Sequence, residues 1–335
     1  MKLPDLRPLL FVFPAILFGL HACFEEDTRV PPHEAGDVET AQVALGLDYS
    51  RQVYFDLGSG SEAGSNSTES WDLGFESNSG GWVIRLNTAR FMMAGNAGDT
   101  TFSLTPLPEN LDMVFDVSGG DPDSTALAGW FETEQDVPRS KKEVYLLHLG
   151  TGEQFRDMGY KKIQLDREGD DYVLRYAEPD GSREERIRIQ RTEERAWVYF
   201  SFEGGIVDEI PDAGDYTLLF TRYSTMLKTD EGEDYPYPVV GALLNPHNVA
   251  AYRETERDFS DIVLADTLGL VFDARADLIG YDWKTFDFDN STYAIRPGWS
   301  FVIRDRDGFF YKLRFIDFYS DEGAKGYPKF EYVRL

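Results

Sequence analysis

The sequence predicts an all-β protein made of two related antiparallel units, and three observations carry that expectation. Aromatic residues make up 14% of the chain and fall mainly in short alternating runs, the pattern that suits a pleated, half-buried surface. Clusters of Gly, Pro, Asn and Asp divide those runs at short intervals, as hairpin-linked strands require. The third observation is a repeat. Val53-Tyr54-Phe55 recurs as Val198-Tyr199-Phe200, Gly60 as Gly205, and Trp71-Asp72-Leu73-Gly74-Phe75 as Tyr216-Thr217-Leu218-Leu219-Phe220, every pair separated by the 145 positions that part 53 from 198.

Taken in order, the chain opens on a targeting segment. Lys2 and Arg7 give it a basic start, and Leu9 to Leu20 is an apolar run too short to span a bilayer. Leu20-His21-Ala22-Cys23 then resembles a bacterial lipobox, in which the chain is cut before the cysteine and the thiol takes a lipid, although His21 stands where a small residue is usual. The alternative is an ordinary signal peptide followed by a fortuitous cysteine. Residues 1–22 are expected to be a lipoprotein signal peptide and Cys23 the lipidation site. Cys23 is the sole cysteine, so no intramolecular disulfide, multi-cysteine zinc site or CxxCH haem attachment is possible. Residues 23–48 are acidic and Pro-bearing and read as a flexible tether.

The first β unit is expected over residues 49–194. Gln52 to Leu57 is a strand ended by Gly58-Ser59-Gly60. Trp71 to Phe75 and Trp82 to Leu86 read as a hairpin with Trp71, Leu73 and Phe75 on one face. Residues 88–139 are broken by turn formers, with one short helix expected from Asp123 to Glu134, capped by Asp123 or Ser124. Strands return at Glu143–Leu149, Tyr160–Leu165, Tyr172–Tyr176 and Ile187–Ile189.

The second unit is expected over residues 195–335. Tyr235-Pro236-Tyr237-Pro238 leads into Val239 to Pro246 as an edge strand or a loop crossing the sheet. Phe259 to Leu264 reads as a helical turn or a short strand. Phe301-Val302-Ile303 and Phe309 to Ile316 form a hairpin over Asp305-Arg306-Asp307-Gly308. Towards the ends of the units the offset grows, Tyr145 to Phe155 resembling Phe301 to Tyr311.

Charge and motifs narrow the function. A formal charge of −27 lacks the basic stripe that phosphate backbones demand, which excludes nucleic acid as a partner. No nucleophile elbow, His-Glu-x-x-His helix, P-loop or dinucleotide fingerprint is present, so no enzyme is expected. Asp305-Arg306-Asp307-Gly308 and Asp287-Phe288-Asp289-Asn290 are turn chemistry before they are calcium ligands. Trp82, Trp130 and Trp283 suit either a carbohydrate platform or, by default, the β core.

With these residues in view, the chain resembles the HmuY-like family of surface lipoproteins of the Bacteroidetes phylum. The run from Tyr293-Ala294-Ile295-Arg296 through Tyr311-Lys312-Leu313-Arg314-Phe315 to Lys325-Gly326-Tyr327-Pro328 carries most of the likeness. Trp71 to Phe75, Phe220-Thr221-Arg222-Tyr223 and Val240 to Pro246 add to it. Phe24-Glu25-Glu26-Asp27, directly after Cys23, is similar to the surface-export signal of such lipoproteins. The resemblance implies an all-β fold, a lipid anchor in the outer membrane with display at the cell surface, and capture of non-covalent haem b for a TonB-dependent haem transporter. The alternative is a cell-surface interaction module that binds a protein or glycan without haem.

Haem needs an apolar slot and one or two axial His or Met ligands. The family's histidine pair matches no position here. His33 lies in the tether. His148 alternates with Leu147 and Leu149 in a strand and has Arg304 as its repeat counterpart, so a solvated polar face also explains it. His247 follows Pro246 in a loop. Met92 and Met93, in a Gly-flanked stretch, offer thioethers or simply pack a loop. The axial candidates are therefore His247, His148, Met92 and Met93, and the discriminating question is which of these, with Met113, converge on one cleft.

Overall fold

The computed structural model describes residues 36–78, 81–135 and 137–335. Cys23, His33 and the export-type acidic cluster lie outside them. Alternation of large apolar and polar residues gives strands almost throughout. The first run is β1 (Glu39–Gln42), β2 (Arg51–Asp56), β3 (Ser61–Ser67), β4 (Leu73–Glu76), β5 (Ile84–Leu86) and β6 (Met93–Asn96). It continues with β7 (Phe131–Glu134), β8 (Val137–Ser140), β9 (Val144–His148), β10 (Tyr160–Glu168) and β11 (Asp171–Ala177). The second run is β12 (Glu185–Ile189), β13 (Trp197–Ser201), β14 (Gly205–Val207), β15 (Leu218–Lys228), β16 (Asp234–Leu244) and β17 (Ala250–Glu254). It ends with β18 (Lys284–Asp287), β19 (Thr292–Ile295), β20 (Ser300–Arg304), β21 (Phe310–Tyr319) and β22 (Lys325–Arg334). All the pairings are antiparallel, as the all-β expectation requires.

Two sandwiches result. One packs the sheet β14-β13-β4-β5 against β12-β11-β10-β9-β6, around Leu73, Phe75, Ile163, Tyr172 and Phe200. The other packs β16-β15-β2-β3 against β1-β22-β21-β20-β17, around Val53, Phe55, Phe220, Phe315 and Phe330. Trp283 stacks on Phe315 with ring centroids 3.8 Å apart in this second core. Each fully buried Phe or Leu of these cores contributes about 1.5–3 kcal/mol, so the cores rather than local propensity hold the strands together.

The offset seen in the sequence reappears in the hydrogen-bond registers. Val53 pairs with Phe220 and Phe55 with Leu218; the partners shifted by the same interval, Val198 with Phe75 and Phe200 with Leu73, are also paired. Gly60 and Gly205 close the equivalent hairpins, both at positive φ where a side chain is strained. The strands are exchanged between halves. β2 pairs with β15 and not with β4, β13 pairs with β4 and not with β15, and β1 adds to β22. A cut between residues 194 and 195 therefore divides the sequence but not the folded body, because each sandwich draws strands from both sides of it.

Three local expectations change. The stretch 23–48 is not all tether: β1 pairs with β22, and Val43 and Leu45 are buried against the second core, because the alternating Ala41, Val43 and Leu45 outweigh the acidic surroundings. Asp123–Glu134 is not one helix; it holds two short 3-10 turns, Pro122–Ser124 and Ala128–Trp130, before β7 begins. Trp71 parts company with Leu73 and Phe75, lying with Tyr54, Ile210 and Tyr216 instead. Trp82, Trp130 and Trp283 are all buried, so none forms a platform. The Asp305–Gly308 turn is as expected, with Asp305 Oδ1 accepting the N–H groups of Asp307 and Phe309.

Candidate functional site

An apolar cleft opens along the edge of β6. Residues 112–118 are laid beside that strand through paired Ala94 and Val114 backbone bonds of 2.8 and 3.0 Å. Gly95 permits the close approach: a Cβ there would stand 2.6 Å from Met113 Sδ and 2.8 Å from Leu111 Cβ. Met93, two residues before Gly95 on β6, borders the same cleft. The opposite wall is the part of the β15–β16 ribbon that runs beyond β2, contributing Thr225, Met226 and Pro236. The cleft encloses about 770 Å³, within the ~300–1,000 Å³ typical of small-molecule and cofactor sites.

Polar contacts fix the two walls to each other. Ser118 Oγ donates to Asp277 Oδ2 at 2.6 Å and lies 3.1 Å from Thr225 Oγ1. Ser224 Oγ donates to Thr88 O, and Arg222 Nε to Ala89 O, so the ribbon is clamped to the turn that leads into β6. Between these fixed points the lining is soft and apolar: Met93, Met113, Met226, Val114, Phe115 and Val117. Met226 is 53% exposed and Val117 52%, so apolar surface is open at the mouth of the cleft. The charged groups of the lining are Asp112 and Asp277, with no cation among them.

The structure sorts the sequence candidates. Met93 lines the cleft, and Met113 joins it there. Met92 is fully buried in the first core and does not line the cleft. His148 is the cross-strand partner of Met93 and shares its face, but lies outside the cleft. Its Nε2 is 2.9 Å from Asp157 Oδ1, and its ring packs on Tyr160. The Gly159 N–H and then His148 hold the Asp157 carboxyl below its usual range. His247 is half-buried in the loop after β16, where its backbone N–H donates to Asn245 Oδ1. Burial, reinforced by the Arg85 charge, lowers its pKa, and it too is absent from the cleft wall. The residue that sequence reasoning missed is Met226. Its signal was the Pro-marked ribbon at 235–238, since Pro236 sits opposite Met226 in the register.

The arrangement is an all-β fold with a thioether-lined cleft between β6 and the β15–β16 ribbon. The sequence model of the HmuY protein family matches residues 48–332, and the chain belongs to that family. Among solved structures, apo PinO from Porphyromonas gingivitis is similar at 9% identity, over 90% of this chain and 98% of that one, with a TM-score of 0.30. The apo HmuY analogue TFO of Tannerella forsythia is similar at 10% identity, over 90% and 99% of the two chains, with a TM-score of 0.26. A candidate HmuY-like haem-binding protein from Bacteroides vulgatus follows at 11% identity, over 88% and 90%, with a TM-score of 0.24. At such scores these likenesses fix neither fold nor ligand, and membership rests on the family match. No curated protein matches the chain.

Proposed function

We propose that this protein is a non-enzymatic, surface-tethered haem-capture protein that holds haem b non-covalently in the methionine cleft. The observation that carries the reading is the convergence of Met93, Met113 and Met226 on one apolar space of cofactor size. Thioether sulfur is a soft ligand that binds haem iron, and three flexible methionines let two of them reach opposite faces of a ring. With only Asp112 and Asp277 as charges in the wall, the propionates are directed out of the cleft to solvent. Lipidation at Cys23 would hold the site at the outer membrane, within reach of a TonB-dependent transporter that accepts the haem.

Hemin added to the mature chain is expected to give a red-shifted Soret band, lost or weakened in at least two of Met93→Ala, Met113→Ala and Met226→Ala. His247→Ala and His148→Ala are expected to leave it unchanged. A flat wild-type titration ends the reading.

A second reading, capture of a protein or glycan partner without iron, has its own support. The cleft carries no cation for a propionate, and the same ribbon displays Tyr235 and Tyr237, ring centroids 6.2 Å apart and both exposed. Glycan-array and pull-down signals that persist with and without hemin, in a protein that gives no Soret shift, would favour it.

A further inference from the structure

A second, smaller cavity of about 120 Å³ lies between the two four-stranded sheets. Its walls follow the repeat, with Tyr54 and Tyr199 at equivalent places on β2 and β13 and Trp71 and Tyr216 at equivalent places ahead of β4 and β15. The plan breaks at one cross-strand pair. Between β15 and β16 that pair is Leu219 with Leu243; its equivalent between β4 and β5 is Gly74 with Arg85. One half fills the space with two leucines. The other has a glycine in one place and a guanidinium in the other. A Cβ on Gly74 would stand 3.3 Å from Tyr199 Cε1 and 3.6 Å from Trp197 Cε3, so the glycine lets these two rings close on the strand.

The polar lining combines one guanidinium, one carboxylate, the Gln52 amide and several hydroxyls. Arg85 lies over the Trp197 ring at 4.3 Å and makes one long bond, 3.4 Å, to Gly120 O; its Nε is buried without a partner. It forms no salt bridge among the described residues. Tyr54 and Tyr216 are only 2% and 7% exposed, and with Tyr199 they line the cavity. Thr125 Oγ1 is buried and unpartnered. The carboxylate in the wall, Asp116, is already engaged: Oδ1 accepts from Ala126 N and Oδ2 from Leu86 N, each at 2.8 Å. Burial pushes its carboxyl up to about 6, with its two N–H donors and then the Arg85 charge pulling it back down.

A guanidinium Nε and a threonine hydroxyl buried without partners are expensive. Water would satisfy the hydroxyls but bring no charge. We propose that this cavity binds a small anion, a carboxylate or oxyanion of about four or five heavy atoms, held by the Arg85 guanidinium and the hydroxyls of Tyr54, Tyr199 and Tyr216. The size follows from the volume, which is below the ~150 Å³ that accepts a benzene ring and equals about four waters at ~30 Å³ each. Val117, Ser118 and Thr125 line both this cavity and the methionine cleft, so the anion braces the wall of the larger site from behind. The site stands whether or not the cleft takes haem.

The haem-free chain from residue 24 onward, titrated with sodium acetate, bicarbonate or phosphate against chloride at constant ionic strength, tests this. At least one of the three is expected to give a saturable tyrosine difference spectrum and a higher Tm that chloride does not reproduce. Arg85→Gln should weaken that affinity tenfold or more, since it removes the charge-assisted bond. Tyr54→Phe, which keeps the ring and loses only the hydroxyl, should weaken it several-fold and stands as the comparison if the Arg85 variant does not fold. Wild-type protein that responds to none of the three anions beyond chloride holds water alone, and the proposal fails. A saturable response that survives both substitutions places the anion elsewhere and overturns it equally.

Discussion

Asp72→Ala is expected to destabilise the protein by about 4 kcal/mol, because Asp72 is the counter-charge of a buried arginine at the root of the cleft. Asp72 Oδ1 meets Arg90 Nη1 at 2.5 Å, and the two side chains are 5% and 2% exposed. Its Oδ2 accepts the Phe202 N–H at 2.7 Å. Burial pushes the Asp72 carboxyl up, against the opposing pull of Arg90 and that N–H. Arg90 ends the 3-10 turn Thr88–Arg90, directly ahead of Met92 and β6. Its Nε and Nη2 already lack partners, so the aspartate is what neutralises it.

Removing one member of such a pair strands the other in low dielectric, which costs about 3–5 kcal/mol. The orphaned Phe202 N–H adds about 1–3 kcal/mol, part of which local relaxation recovers. About 4 kcal/mol is a large share of the ~5–15 kcal/mol by which a folded domain is stable. Urea unfolding followed by tryptophan fluorescence reads the loss directly. Desolvation, not the attraction itself, makes the single change costly, so Asp72→Leu with Arg90→Met should return to within about 1.5 kcal/mol of wild type. A single variant within about 1 kcal/mol of wild type, or a double variant no better than the single, would refute this account.

Other expectations follow from the same structure. Gly95→Ala should cost about 1–3 kcal/mol by overpacking and weaken hemin binding about tenfold, since the new methyl group displaces both Leu111 and Met113; unchanged affinity by Soret titration would detach Met113 from the ligand. Lys284 is buried, with Nζ donating to Val240 O at 2.5 Å and burial lowering its pKa to about 7. The unfolded chain then holds more protons than the folded one above pH 7, so stability should rise between pH 7 and 9.5 by about 3 kcal/mol and be flat in this window in Lys284→Met, as read by the difference between their urea midpoints. Metabolic palmitate should label the wild-type protein and not Cys23→Ala; an unlabelled wild type removes the lipid anchor from the reading.

Much of the architecture was legible because strand formation is local. Alternation marked β2, β9, β20 and β21, and the Asp-x-Asp-Gly turn marked its hairpin from a handful of neighbouring residues. The 145-residue repeat was legible for the same reason, since equal strands carry equal patterns. The cleft was legible only in part. Met93 stood out as a thioether in a Gly-flanked stretch, but Met92 has the same chemistry one position away, and Met113 entered only as a residue still to be placed. The two-residue period of a strand puts Met92 in the core and Met93 in the cleft, so the exact start of β6 decides between them. Met226 gave no local sign beyond the prolines across from it.

By itself the sequence determined the fold class, the strongly acidic charge and the doubled strand pattern, because composition and periodicity act within a few residues of one another. Only the tertiary structure decided that the halves exchange strands, that three methionines from distant segments share one cleft, and that Arg85 and Gly74 face each other across a strand pair at a small cavity. Those outcomes depend on which strands pair across more than a hundred residues. That choice is set by how two complete cores fill their volume, and no short stretch of chain contains it.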